Sequence, residues 1–122
     1  MRLNRLTSAL AAAGVTCAVA AATAFAHTEV RSTYPAKGKT ASKNVSSASV
    51  TFTGTIRSGT IKVTGPGGKT YSSGKGGRDP RNVRRVRVPL KSSKPAGSYK
   101  ASWTMKAADG HTQRGSFTFR LR

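Results

Sequence analysis

Long runs in which apolar and polar residues alternate are the feature that most restricts the fold of this 122-residue chain. From Tyr99 to Ala107 every second residue is apolar, and the residues between them are Lys, Ser or Thr. Phe117, Phe119 and Leu121 continue the same alternation nearer the C-terminus. A period of two buries one face of a β-strand and exposes the other to water. The pattern therefore predicts strands, each with a single buried face.

Shorter alternating runs occupy residues 50–53, 60–64 and 85–90, and turn-forming residues separate them at 65–68, 72–80 and 94–97. No segment after residue 26 keeps a helical period, so the fold class is all-β. About seven strands are expected, arranged as a Greek-key barrel or an antiparallel sandwich. Pro89 inside a strand pattern predicts an edge or a bulge there. Residues 37–49 are predicted as a polar connection and residues 72–81 as a mobile loop.

Residues 1–26 have the pattern of a secretory signal peptide. Arg2 and Arg5 precede an apolar, alanine-rich stretch that ends in Ala24-Phe25-Ala26, the small-residue motif of a cleavage site. We expect cleavage after Ala26 and a single domain over residues 27–122. The stretch is also long enough to span a bilayer, so an uncleaved anchor helix is the alternative.

Removal of residues 1–26 would leave 96 residues, enough for one small domain. The only cysteine, Cys17, would leave with the leader, so the domain could form no disulfide. The remaining domain would contain twenty basic and three acidic residues, which gives it a formal charge of +17. Such a surface attracts anionic polymers and membranes without a dedicated site, and no specific nucleic-acid recognition is predicted. Three acids and two histidines also leave no residues for a hydrolase constellation.

The two histidines suggest a metal site. After cleavage, His27 would carry both a free α-amine and an imidazole, and these two nitrogens can chelate one ion. His111 follows Asp109 and Gly110, where glycine allows a tight turn between two strong strands. Three nitrogens with a carboxylate oxygen suit tetragonal Cu(II), although Zn(II) could use the same ligands. The alternative is that Asp109-Gly110 is an ordinary hairpin turn and His111 is incidental.

Both ends of residues 27–122 contain an ordered set of short motifs. At the start, His27 is followed by Ser32, Pro35-Ala36 and Gly38. The C-terminal half contains, in order, Gly97-Ser98-Tyr99, Trp103, Asp109-Gly110-His111 and Gly115-Ser116-Phe117-Thr118-Phe119. In these motifs and their order the chain resembles the CopC-type copper-resistance proteins. The resemblance implies an immunoglobulin-like Greek-key β-barrel, exported to the periplasm or cell exterior. It also implies one Cu(II) per chain, held by the amine and ring of His27, by His111, and by Asp109 near the axial position.

The middle of the chain departs from that family. Its members usually have a Phe-Ser-Glu-Pro-like segment after the second strand, where this chain has Phe52-Thr53-Gly54-Thr55. The acid that orients or balances the copper in some members is therefore missing. The methionine-rich Cu(I) segment of some members also has no counterpart, and Met105 is predicted to lie in the core. The strongly basic composition is a further difference.

Three functions are compatible with these features. The first, which we expect, is an exported monomeric protein that binds Cu(II) and buffers, carries or delivers it, with a membrane copper transporter as a candidate partner. The second is a basic extracellular β module that binds an anionic polymer or membrane surface and needs neither histidine. The third is an oxidative copper enzyme with a histidine brace, as in lytic polysaccharide monooxygenases. No extra catalytic group accompanies the histidines, so we predict that the protein is not an enzyme.

Overall fold

The computed structural model describes residues 28–122, which form eight β-strands and one short 3-10 turn. The strands are β1 (Val30–Tyr34), β2 (Thr40–Ala41), β3 (Ser47–Phe52), β4 (Ile56–Thr64), β5 (Gly77–Asp79), β6 (Asn82–Pro89), β7 (Gly97–Ala107) and β8 (Thr112–Leu121). The 3-10 turn, Pro66–Gly68, follows β4. Within residues 28–122, no helix has the length and apolarity needed to cross a membrane.

The strands form two four-stranded sheets, in the orders β1-β3-β6-β5 and β2-β8-β7-β4. All pairs are antiparallel except β2 with β8. This is the all-β Greek-key sandwich predicted from the alternation. The described chain has one strand more than the expected number of about seven. The two shortest strands, β2 and β5, lack a visible alternating pattern because they have only two and three residues.

An aromatic core joins the two sheets. Phe52 from the first sheet packs edge-to-face on Trp103 from the second, with ring centroids 5.0 Å apart. Tyr99 stacks on Phe119 at 5.5 Å, and its hydroxyl donates a hydrogen bond to the carbonyl of Pro95. Val88 and Phe117 are buried in the same cluster, and so is Met105. These residues are the apolar members of the alternating runs, so the buried face predicted for each strand is confirmed.

Three local predictions need correction. Residues 37–49, expected to be a polar connection, contain β2 and the first residues of β3, and Val45 and Ala48 are buried. Residues 72–81 were expected to form a mobile loop, but this range contains β5. The segment before β5, which includes Tyr71 and Lys75, runs along the edge of β4. There, Tyr71 N donates to Val63 O at 2.8 Å and Ile61 N to Lys75 O at 2.9 Å. These bonds cover an edge that would otherwise expose unpaired backbone groups. Pro89, expected at an edge or bulge, is the last residue of β6, where its missing N–H interrupts no continuing ladder.

Replacement of Trp103 by Ala should destabilise the domain strongly. The side chain is 92% buried and spans both sheets, so its truncation leaves a large cavity. The free energy of unfolding should fall by about 3–5 kcal/mol, against at most about 0.5 kcal/mol for Ser102→Ala on the exposed face of β7. Urea unfolding of the two variants measures the difference. Equal unfolding midpoints would contradict the proposed core.

Candidate metal centre

The connection between β7 and β8 is a four-residue turn, 108–111, that contains both Asp109 and His111. Gly110 N donates to Ala107 O at 2.9 Å, and Ala107 N donates to His111 O at 2.8 Å. Gly110 has φ of +94°, a left-handed conformation that residues with a Cβ adopt only with strain. The turn therefore fixes the positions of Asp109 and His111 relative to the end of the hairpin, as the sequence predicted.

Two hydrogen bonds join Asp109 to His111. The backbone N–H of His111 donates to Oδ1 of Asp109 at 2.9 Å, and Nδ1 of His111 lies 2.9 Å from Oδ2. The side chains are 46% and 73% exposed, respectively, so both are accessible to an ion from solvent. A carboxylate bonded to one imidazole nitrogen sets the ring's orientation and favours metal binding by the other nitrogen. The pair therefore has the chemistry of a metal ligand with an orienting carboxylate.

The pKa of Asp109 is lowered from its ordinary value. The largest cause is the hydrogen bond from the backbone N–H of His111, and the bond from the His111 ring adds to it. Asp109 therefore stays ionised at neutral pH. Because the pKa of Asp109 is lower in the folded state than in the unfolded state, ionised Asp109 stabilises the fold at pH values above its ordinary pKa. This stabilisation is lost as the pH falls through the lowered pKa of the folded state.

An open cavity of about 760 Å³ lies beside this pair. Strand β7, the turn and β8 contribute one wall, and the chain entering β1 contributes the other. Its lining residues are Thr28, Glu29, Val30, Ala107, Asp109, His111 and Gln113. The cavity therefore brings the first described residues of the chain next to a turn that lies about 80 residues later in the sequence.

The entering chain is held in place by the end of β3. Glu29 N donates to the hydroxyl of Thr53 at 2.9 Å, and Thr53 N donates to Glu29 O at 2.8 Å. A Cβ added at Gly54 would lie 3.0 Å from the hydroxyl of Thr28. In the sequence comparison, Gly54 corresponds to the acid of the Phe-Ser-Glu-Pro-like pattern, and a side chain at this position would meet Thr28.

Sequence reasoning did not identify Glu29 as a site residue. Two of the chain's three acidic residues, Glu29 and Asp109, nevertheless line this one cavity. The available signal was weak: Glu29 lies two positions after His27 and is the only acid in the first 78 residues. Its approach to the β7–β8 turn depends on tertiary packing.

Of the three predicted ligands, the structure brings Asp109 and His111 together. His27 lies outside the described residues, so its place in the site stays a prediction. Within residues 28–122, no three side chains of His, Cys, Asp or Glu are grouped closely enough to hold a metal ion. The described part of the chain therefore supplies a two-residue unit at the rim of the cavity.

Comparison with known proteins gives one family. The CopC domain model matches residues 30–122. Protein YobA of Escherichia coli K12 is 25% identical over 100 residues, covering 80% of this chain and 81% of YobA. The match to Protein YobA of Shigella flexneri has the same values.

Two solved structures have a similar fold. The crystal structure of CopC from Methylosinus trichosporium OB3b aligns with a TM-score of 0.64 at 18% identity, covering 78% of this chain and 93% of that protein. PcoC, a methionine-rich copper resistance protein from Escherichia coli, aligns with a TM-score of 0.61 at 20% identity, covering 79% and 99%. At these identities the likeness concerns the fold.

The titration of Asp109 tests the geometry of the turn. In the metal-free protein, the NMR midpoint of its carboxyl carbon should lie below that of an ordinary aspartate, because two donors bind the ionised form. His111→Ala removes the ring donor but keeps the larger backbone donor, so the midpoint should rise only part of the way. A midpoint at or above the ordinary value in the unmodified protein would contradict this arrangement.

Proposed function

The chain is a member of the CopC domain family, and we propose that it is an exported protein that binds one Cu(II) ion and buffers, carries or delivers copper in the cell envelope. One observation carries the proposal: Asp109 and His111 line the same cavity as Thr28, the residue that follows His27. The fold likeness to PcoC, a copper resistance protein, supports it.

The proposed ligands are the α-amine and imidazole of His27 and the imidazole of His111. His27 is bonded to Thr28, and consecutive Cα atoms lie about 3.8 Å apart across a trans peptide. A ligand one residue before Thr28 is therefore within reach of a cavity that Thr28 itself lines. Three nitrogen donors with a nearby carboxylate match the tetragonal preference of Cu(II), which also binds most tightly among the divalent ions of its row.

Asp109 has two possible contributions, and both follow from its bonds to His111. Through Oδ2 it orients the ring by bonding Nδ1, and through its charge it lowers the energy of a bound cation. A carboxylate oxygen could also approach the ion directly as a weak axial ligand. In each case Asp109 should contribute less to affinity than the two histidines.

The electrostatics of the cavity suit a cation despite the charge of the whole protein. The form that begins at His27 would have a formal net charge of +17, which opposes the approach of Cu(II). Glu29 and Asp109 both line the cavity and add negative charge there, beside the guanidinium of Arg57, which lies near Gly110 of the same turn. We propose that Glu29 supplies charge that the absent acid at position 54 supplies in related proteins.

The chemistry of an amine ligand gives a specific test. The terminal amine must lose its proton to bind, and the reference pKa of an α-amine is about 7.7–8.0, so Cu(II) affinity should fall as the pH decreases below about 8. Adding one Gly before His27 converts the amine to an amide but leaves the ring and the fold intact. In competitive Cu(II) titrations with electron paramagnetic resonance, this extended protein and His111→Ala should each lose most of the affinity of the protein that begins at His27.

Asp109→Asn serves as the matched comparison, because it keeps the shape of the turn and should lose less affinity. Mass spectrometry of the exported protein should first establish that it begins at His27. Identical affinity and spectra for the native and Gly-extended forms would contradict the terminal-histidine mechanism. Absence of stoichiometric binding by the native form would leave the basic-module alternative.

Replacement of Glu29 by Gln tests the charge proposed for the cavity. Cu(II) affinity should fall by up to about 10-fold, as for a residue near but outside the ligand set. Ser92→Lys is the control, since it changes the net charge by the same amount on an exposed loop elsewhere. An equal loss in both variants, measured by the same titration, would show that only the total charge matters.

A further inference from the structure

The outer surface of the β2-β8-β7-β4 sheet consists almost entirely of hydroxyl and cationic side chains. On β4, β7 and β8 most inward positions are buried and apolar, apart from half-buried glycines and Gln113, whereas the outward positions are Ser, Thr, Lys or Arg and are largely exposed. No outward position on these three strands is acidic, aromatic or large and apolar. We call this surface the hydroxyl–cation face.

The strand register arranges the cations of this face regularly. Residues paired across the sheet form levels, and each of five successive levels contains one cation. In order along the sheet, the cations are Lys106, Arg114, Lys62, Lys100 and Arg120. The other two outward residues at each level are Ser or Thr, with Thr40 of β2 completing the last level. Arg57, at the irregularity in β4 beside the first level, is an additional exposed cation outside these pairs.

Successive levels are two residues apart along a strand, or about 6.7 Å, so the five cations extend over about 27 Å. They alternate among β4, β7 and β8, and they form a zigzag along the strand direction. Lys62 and Arg114 also line a groove of about 700 Å³ with Lys75 and several hydroxyl residues, and the largely buried Ile61 and Trp103 form part of its floor.

None of these five cations pairs with a side-chain carboxylate of residues 28–122. Of the three acidic residues, Glu29 and Asp109 lie at the cavity beside β1, and Asp79 lies on the other sheet. Asp79 is within 3.9 Å of Arg81 and 3.6 Å of Arg85, so part of the charge on that sheet is neutralised. Within residues 28–122, side-chain carboxylates pair only with Arg81, Arg85 and His111, which leaves the hydroxyl–cation face positive.

The composition of the face selects among anionic partners. Binding of single-stranded nucleic acid relies on aromatic side chains that stack on bases, and interfacial membrane binding relies on apolar side chains that enter the lipid. In the described part of the chain, the exposed large hydrophobic residues are Val30, Tyr34 and Val83, and all three belong to the other sheet. Hydroxyl groups instead donate and accept hydrogen bonds, which suits a partner rich in hydroxyls and anionic oxygens.

We infer that the hydroxyl–cation face binds a linear anionic polysaccharide, with the chain lying along the strands and its negative groups meeting successive cations. Regular spacing favours a polymer with a negative group on each repeat. This binding is separate from the copper site, since Asp109, His111 and the lining of their cavity lie at the end of the hairpin.

The test uses oligogalacturonates of defined length, which have one carboxylate on each sugar, with the protein kept in a metal chelator. Affinity measured by calorimetry should rise with oligomer length and fall with salt. Lys62→Ser, Lys100→Ser and Arg114→Ser combined should weaken binding by on the order of tenfold or more, because each contact releases bound counterions. The control combines Lys37→Ser, Lys43→Ser and Lys91→Ser, which removes the same charge from exposed connections.

A second variant separates spacing from charge. Thr60→Lys combined with Lys62→Thr keeps the charge of the face but places two cations at one level and none at the next, so it should also weaken binding. Equal losses in the face and control variants, or no effect of the relocation, would overturn the inference. Tighter binding of oligothymidylate or of phosphatidylglycerol vesicles through the same residues would likewise overturn it in favour of nucleic acid or membrane.

Discussion

The pairing of β7 with β8 is the interaction on which the rest of the structure depends. Ten residue pairs form this ladder, from Gly97 with Leu121 to Lys106 with Thr112. The ring of Trp103 lies over Gly115, where an added Cβ would come within 2.5 Å of it. Only glycine fits beneath the indole in this register. A slip by one residue would also turn every buried side chain of β8 outward, so the register is strongly specified.

This one register has three consequences. It stacks Tyr99 on Phe119 and places Trp103 against Phe52, which forms the core between the sheets. It closes the hairpin with a turn in which Asp109 binds His111 twice. On the opposite face it sets Lys or Arg at regular levels. The core, the candidate metal centre and the hydroxyl–cation face therefore all depend on the same hairpin. Strand β4 completes the face, and the chain entering β1 completes the cavity of the metal centre.

The distribution of the few acidic residues decides where the protein can attract cations and where anions. With only three carboxylates for a large excess of basic residues, each acid determines its local field. Two of them line one cavity and the third is bound by arginines on the β1-β3-β6-β5 sheet. A cation site and an anion-binding face can therefore coexist on a small domain, because they lie at different places on the sandwich.

The sequence by itself determined the all-β class, the long strands, the aromatic core and the turn that joins Asp109 to His111. All of these follow from local patterns, namely a period of two and an Asp-Gly turn. It did not predict β5, whose three residues are too few to show a period. It also did not predict that Glu29 lines the same cavity as His111, or that Lys62 lies at the level of the sheet between the levels of Arg114 and Lys100. Those neighbours depend on which strands pair and in which register, and only the tertiary structure brings such distant residues together.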